Sequence, residues 1–105
     1  MSGRRPPTLH DVRAKRRQIL QILASRGGTN PRVFGSVARG DAVSESDVDL
    51  LVDFEGGVPT GFRYYGMIRE LQDELSAILG RPVHVVRVTA TSSAARRVLG
   101  DAVPL

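Results

Sequence analysis

Apolar positions along the chain fall into patterned blocks separated by turn-forming residues. Leu9, Val12, Ile19, Leu20, Ile22 and Leu23 recur at roughly helical spacing. Thr8 stands ahead of them as a candidate N-cap, with Asp11 three residues on, as in a capping box. Arg16 interrupts the stripe; its stem is expected to cover the core while its head reaches water. Gly27-Gly28 is expected to end this first helix. Arg32-Val33-Phe34 predicts a short strand that turns at Gly35-Ser36, with Ala38 to Ala42 as a loop or one helical turn. Val48 to Phe54 predicts a second strand, with Val48, Leu50 and Val52 facing away from Asp47, Asp49, Leu51 and Asp53. Glu55 to Gly61 holds three glycines and a proline and reads as a loop or lid. Tyr64, Met67, Ile68, Leu71, Leu75, Ile78 and Leu79 form the clearest helical stripe, stopped by Gly80 with Pro82 beyond. Val83 to Val88 is rich in β-branched residues and predicts a third strand. Thr91, Ser92 and Ser93 offer caps for a short last helix through Leu99.

The order helix, strand, strand, helix, strand, helix predicts an α+β fold, a small mixed sheet covered by helices. Residues 1–7 carry two prolines and two arginines and are expected to be disordered, which leaves 8–105 as the folded domain. A length of 105 residues allows one domain with a thin core. With 41% hydrophobic and 25% charged residues, the composition is that of a globular chain, not a disordered one. The absence of cysteine excludes disulfides and thiolate metal sites. No apolar run approaches the roughly 20 residues of a membrane span, and the N-terminus has no apolar core of a secretory signal. The cytoplasm is therefore the expected location.

The net charge of +4 is unevenly placed. Residues 1–30 hold Arg4, Arg5, Arg13, Lys15, Arg16, Arg17 and Arg26 against Asp11 alone, whereas acids outnumber bases in the remainder. A basic front end permits nucleic-acid contact, but with no recognisable DNA-binding motif beside it a solvated helix face and a frayed terminus are the favoured reading.

The chemistry concentrates between Phe34 and Phe54. Gly35-Ser36 stands ten residues ahead of Asp47-Val48-Asp49, with Arg39-Gly40 between. On an extended strand Asp47 and Asp49 share a face. Two adjacent carboxylates repel and need a cation or a shared proton. A hard ion such as Mg2+ suits oxygen ligands and prefers one or two carboxylates plus substrate phosphates. A Gly-Ser turn offers backbone N–H groups and a hydroxyl to those phosphates. Each piece alone is commonplace, since most Asp-x-Asp pairs are solvated strand ends and most Gly-Ser pairs are turns. Together they read as a metal–nucleotide site.

The same segment resembles the minimal nucleotidyltransferase family of the DNA polymerase β superfamily. Gly35, Ser36, Ala38, Arg39, Gly40, Ser46, Asp47, Asp49 and Leu50 match its pattern. The specific motif covers Gly35 to Leu50, and the general resemblance most of 8–105. It implies the palm-like nucleotidyltransferase fold, with Asp47 and Asp49 as Mg2+ ligands and catalytic carboxylates. Gly35 and Ser36 would cradle the terminal phosphates of ATP. Arg39 would either stabilise the pyrophosphate leaving group or simply pair with Asp41 or Glu45. Ser46 would cap or orient Asp47, beside the nucleotide.

One position departs from the family. The resemblance implies a third carboxylate on the next strand, and His84 stands there. An imidazole offers one nitrogen and no negative charge, so it suits Mg2+ less well. A neutral imidazole still accepts a proton. His84 is thus a replacement base, a tolerated change in a slow enzyme, or the mark of a chain that binds without transferring. Asp53 and Glu55 are possible substitutes, but Asp53 lies four residues past Asp49, too far along the strand for the same metal, and His10 is expected to be merely exposed.

A domain this short leaves no room for the helical second domain of antibiotic nucleotidyltransferases. Stand-alone domains of this size resemble the antitoxins of two-gene HEPN/MNT toxin–antitoxin pairs. The resemblance implies transfer of AMP from ATP to a tyrosine of a HEPN-type toxin encoded by an adjacent gene. Phe62, Tyr64 and Tyr65, beside the Gly-rich loop, are candidate anchors for such a helical partner, or caps on the core. The alternatives are an antitoxin that neutralises its toxin by binding alone, and a basic nucleic-acid-binding module centred on Arg13 to Arg17.

Overall fold

The computed structural model describes residues 5–87 and 100–105. The chain forms α1 (Leu9–Arg13), α2 (Arg16–Ala24), β1 (Gly28–Phe34), α3 (Gly35–Arg39), β2 (Val48–Phe54), α4 (Phe62–Leu79), β3 (Val83–Arg87) and β4 (Val103–Pro104). The strands make one mixed sheet in the order β3-β2-β1-β4. β1 runs antiparallel to both β2 and β4, and β3 runs parallel to β2. This is the small mixed sheet with helices that the element order predicts.

Alternation on the strands decides which face is covered. Val48, Leu50 and Val52 of β2, Val33 of β1, and Val83 and Val85 of β3 are buried with Val12, Ile19, Leu23, Val37, Leu71 and Leu75 in one core. α2 packs on β1, α4 on β3, and the two helices on each other. Full burial of a Val or Leu side chain contributes about 1.5–3 kcal/mol, so this layer supplies most of the driving force. Asp49 and His84 alternate out of it, as the pleat requires.

The first helix differs from the single element its stripe suggests. Thr8 does cap it, with the reciprocal Thr8–Asp11 capping box in place. The helix then breaks at Ala14–Lys15, where Lys15 adopts φ −105°, ψ 15°. Between Val12 and Ile19 no residue is buried, so no packing holds that turn, and Arg13, Lys15, Arg16 and Arg17 repel one another there. Arg16 is exposed and does not cover the core. α2 ends at Ala24, and Gly27, at φ +75°, turns the chain into β1.

β1 is longer than the three residues predicted for it. It begins at Gly28 and passes a register irregularity between Thr29 and Arg32, with Asn30 at φ +51°. Such a bulge is where a sheet tolerates a proline, here Pro31. The short β4 has no sequence signal of its own, because two residues show no periodicity. The Gly35-Ser36 turn and the expected helical turn merge into α3, which Gly40 closes in the left-handed region at φ +82°. α4 ends at Gly80 as the sequence indicates. The predicted helix from Thr91 to Leu99 lies outside the described residues. So do residues 1–4 of the N-terminal segment read as disordered; in the remainder of that segment Pro7 is buried.

Leu71 is fully buried between α4 and the sheet. Leu71→Ala is expected to cost about 2–5 kcal/mol, read as a lower urea midpoint in equilibrium unfolding. In a fold whose total stability is of order 5–15 kcal/mol, that is a large fraction.

Candidate active site

The site is assembled where the end of β1 meets the starts of β2 and β3. Phe34, the last residue of β1, pairs with Asp49 of β2. The chain then turns at Gly35 with φ +73°, a conformation that L side chains rarely adopt. The Asp49 carboxylate fills the space a side chain would need: a Cβ on Gly35 would fall 2.6 Å from Asp49 Oδ2. Glycine is therefore required twice here, by the backbone angle and by the carboxylate packed against it.

Asp47 immediately precedes β2, and Asp49 follows its first residue, so Val48 is buried between two outward carboxylates. On the parallel neighbour, His84 lies in register with Asp49. Its Nε2 is 3.5 Å from Asp47 Oδ2 and its Nδ1 is 3.6 Å from Asp49 Oδ1. The imidazole thus spans both carboxylates, at distances slightly long for direct hydrogen bonds. The pairing that the sequence suggests for Asp47 and Asp49 is present, and His84 occupies the place on the next strand beside them.

Burial pushes the Asp49 carboxyl above the ordinary range. Interaction with His84 and Arg39 opposes this shift, while the neighbouring charge of Asp47 adds to it. Asp49 is thus a carboxylate whose charge the protein alone leaves under-compensated, the condition in which an added cation is favourable.

The other sequence candidates are placed as follows. Ser36 lies in α3, and among the described residues nothing engages its hydroxyl. Arg39 pairs through Nε with Asp41 at 3.2 Å and through Nη1 with Asp101 at 3.6 Å, and not with Glu45. These are exposed pairs of small energetic weight, so they do not fix the guanidinium. Ser46 does not reach Asp47; its Oγ accepts the Val43 N–H at 2.9 Å, closing the loop that delivers the chain to Asp47. Asp53 is held elsewhere, by Arg32 at 2.9 Å and Asn30 at 3.1 Å, and is not part of the site. His10 is exposed on α1. Two residues absent from the sequence reading stand behind the site: Gln72 and Ser76 of α4 accept backbone N–H groups of β3 on either side of His84. Their signal was two polar residues at i, i+4 beside the buried Leu71 and Leu75.

The donor set fits one hard divalent ion held through two carboxylates. Among the described residues, no group of three or more His, Cys, Asp and Glu side chains is arranged to hold a metal. Remaining ligands would have to come from phosphate oxygens and water, as Mg2+ commonly takes them. A cavity of about 390 Å³, lined among others by Arg5, Asp11, Lys15, Ile78 and Arg81, contains neither carboxylate. The chemistry of the carboxylates, not cavity size, identifies the site. Among the described residues no helix is long and apolar enough to cross a membrane.

Known proteins resemble this chain in sequence and in fold. Residues 16–101 match the family described as the nucleotidyltransferase domain. The chain is 42% identical over 72 residues to the protein adenylyltransferase MntA of Thermococcus cleftensis, covering 68% of each. A solved structure of a protein assigned as a minimal nucleotidyltransferase is 38% identical, with a TM-score of 0.74 over 94% of this chain and 97% of that one. A toxin–antitoxin structure with AMP-PNP superimposes on 84% of this chain and 69% of that one with a TM-score of 0.66; at 19% identity this likeness is one of fold.

The raised Asp49 carboxyl has a consequence for stability in the metal-free protein. An acid that holds its proton more tightly when folded makes its ionised form a cost to the fold. That cost is absent below the unfolded value near about 4, grows as pH rises through the folded value, and is complete above it. Asp49→Asn is therefore expected to melt above the wild type at pH 7 in EDTA, with the gap closing as the pH falls toward 4. Thermal unfolding followed by circular dichroism across that range checks it.

Proposed function

The chain belongs to the nucleotidyltransferase domain family, and on that premise we propose that it transfers AMP from ATP to a tyrosine of a partner toxin, acting as that toxin's antitoxin. The observation that carries this reading is the Asp47–Asp49 carboxylate pair with His84 across both and Asp49 packed against Gly35. The likeness to an MntA adenylyltransferase supports the reaction, and the fold shared with a toxin–antitoxin protein supports the setting. The partner in this reading is a HEPN-type helical toxin encoded by an adjacent gene, and the work is done in the cytoplasm, where ATP is available.

Asp47 and Asp49 would hold Mg2+, which supplies charge neutralisation across the phosphates. Gly35 lets the backbone approach the terminal phosphates closely, and the Ser36 hydroxyl is available to them. Arg39 swings from its exposed pairs toward the departing pyrophosphate. The tyrosine oxygen forms a bond to the α-phosphorus as the bond from that phosphorus to the bridging oxygen of the β-phosphate breaks. Pyrophosphate leaves, and the hydroxyl proton passes to a ring nitrogen of His84. The protein contributes position and electrostatics more than covalent chemistry.

The exposed aromatics favour a docking partner. Phe62 is 95% exposed and Tyr65 71% exposed at the start of α4, next to the Gly-rich loop. Tyr64 is half-buried, edge-on to Tyr65 and beneath the Arg87 guanidinium. Exposed rigid aromatics are common anchors of protein interfaces. A second reading, neutralisation of the toxin by binding alone, is favoured by the neutral side chain at position 84. The exposed basic run from Arg13 to Arg17 keeps nucleic-acid contact as a lesser alternative.

Asp47→Ala and Asp49→Ala are each expected to lose Mg2+-dependent ATP binding in calorimetry while remaining folded. Unaltered affinity in both variants would remove the metal–nucleotide assignment.

Position 84 is expected to set the rate of transfer and not nucleotide affinity. A positioned general base typically contributes about 100- to 10,000-fold. His84→Asp speeds AMP transfer if His84 is a weak substitute for the acid, and slows it if His84 is the working base. Mass spectrometry of the partner after incubation with ATP reads the AMP adduct. No adduct with either the wild type or His84→Asp leaves the binding-only antitoxin as the function.

A further inference from the structure

β3 is an edge strand among the described residues, paired on one side with β2. An edge strand ordinarily leaves alternate backbone N–H groups to water or to a stray strand. Here α4 takes them. Ser76 Oγ accepts the N–H of Val83 at 3.0 Å, and Gln72 Oε1 accepts the N–H of Val85 at 2.9 Å. Residues four apart share one face of a helix, and Tyr64, two such steps before Gln72, continues the row. The Tyr64 ring lies 5.9 Å from the Arg87 guanidinium, within cation–π range. Helix and strand are therefore laced in opposite directions, Ser76 to Val83, Gln72 to Val85 and Tyr64 to Arg87.

His84 sits between the two hydrogen-bonded residues. Its register against Asp49 is set on one side by the β2 ladder and on the other by this pair of side chains. The carboxylates depend on neither side chain: Asp47 immediately precedes β2, Asp49 lies within it, and Asp49 packs on Gly35. The lacing thus acts on one component of the site and leaves the other alone.

We propose that Gln72 and Ser76 are positioning residues that fix the height of His84 over the carboxylate pair and so set the rate of AMP transfer without affecting nucleotide binding. The link to rate rests on the transferase reading above. A displacement of about 1 Å in a catalytic group can cost on the order of 100-fold in rate, so losing an acceptor on β3 is enough to matter.

The test uses the full chain with its partner. Gln72→Met keeps the side-chain length and removes the acceptor, whereas Gln72→Glu keeps an oxygen for the Val85 N–H; Ser76→Ala and Ser76→Thr form the matching pair. Gln72→Met and Ser76→Ala are expected to slow AMP transfer by about 10- to 100-fold. Their KM for ATP and calorimetric ATP·Mg2+ affinity should stay within about 2-fold of wild type. Gln72→Glu and Ser76→Thr should restore most of the rate. In nuclear magnetic resonance spectra, the Val85 amide of Gln72→Met should exchange faster and the His84 ring signals should move. Wild-type transfer in the Gln72→Met/Ser76→Ala double variant overturns the proposal, as does a loss of ATP affinity in step with the loss of rate. If the wild type transfers no AMP at all, the transferase reading fails by itself. The His84 ring signals then judge the positioning: unmoved signals in Gln72→Met overturn it, and moved signals support it.

Discussion

Two like charges held side by side are the constraint around which this fold is built. Asp47 and Asp49 gain nothing from each other, and Asp49 is partly buried as well. They stay together because Val48 and Leu50 are pinned in the core beneath α2 and α4, and strand alternation then leaves the carboxylates no other face. The core thus pays for the site. The left-handed turn at Gly35 completes the arrangement by giving the Asp49 carboxylate a surface to lie on. Catalytic potential and stability oppose each other at Asp49, as expected where a protein holds a group ready for a ligand it does not itself supply.

Much of this was legible in the sequence, and the reasons are local. The Gly35-Ser36 and Asp47-Val48-Asp49 spacing gave the site because strand geometry has a strict period of two. The α4 stripe and its Gly80 stop were equally readable, since a long amphipathic helix averages over any single residue. What escaped was set by tertiary partners. Pro31 and Asn30 disguise the first half of β1, which exists because a bulge accommodates them against β2. The break at Lys15 follows from missing packing partners, not from a helix-breaking residue. β4 is too short to show a pattern, and its pairing depends wholly on β1 already being in place. Gln72 and Ser76 look like ordinary polar helix positions until β3 is laid beside them.

Position 84 shows how one change is carried by an otherwise regular frame. The strand, its register and its two flanking hydrogen bonds are all in place, and only the side chain at the meeting point is unlike the acid that the family pattern implies. The imidazole spreads its two nitrogens over both carboxylates, something a single carboxylate at that point would not do without adding repulsion. The same residue that weakens the case for a second hard metal ligand also adds no negative charge to the pair.

The parallel pairing of β2 and β3 also fixes an order of assembly. β1 and β2 are joined through α3 and a short loop and can zip as neighbours. β2 and β3 run the same way, so they meet only after the whole crossover from Phe54 through α4 to Val83 has closed. Closing the longer loop costs more chain entropy, and contacts between residues far apart in sequence form late. On a chain emerging from the ribosome, the acidic half of the site precedes its imidazole by an entire helix. The two carboxylates can thus come together before the imidazole joins them, and the site is complete only once β3 has docked beside β2.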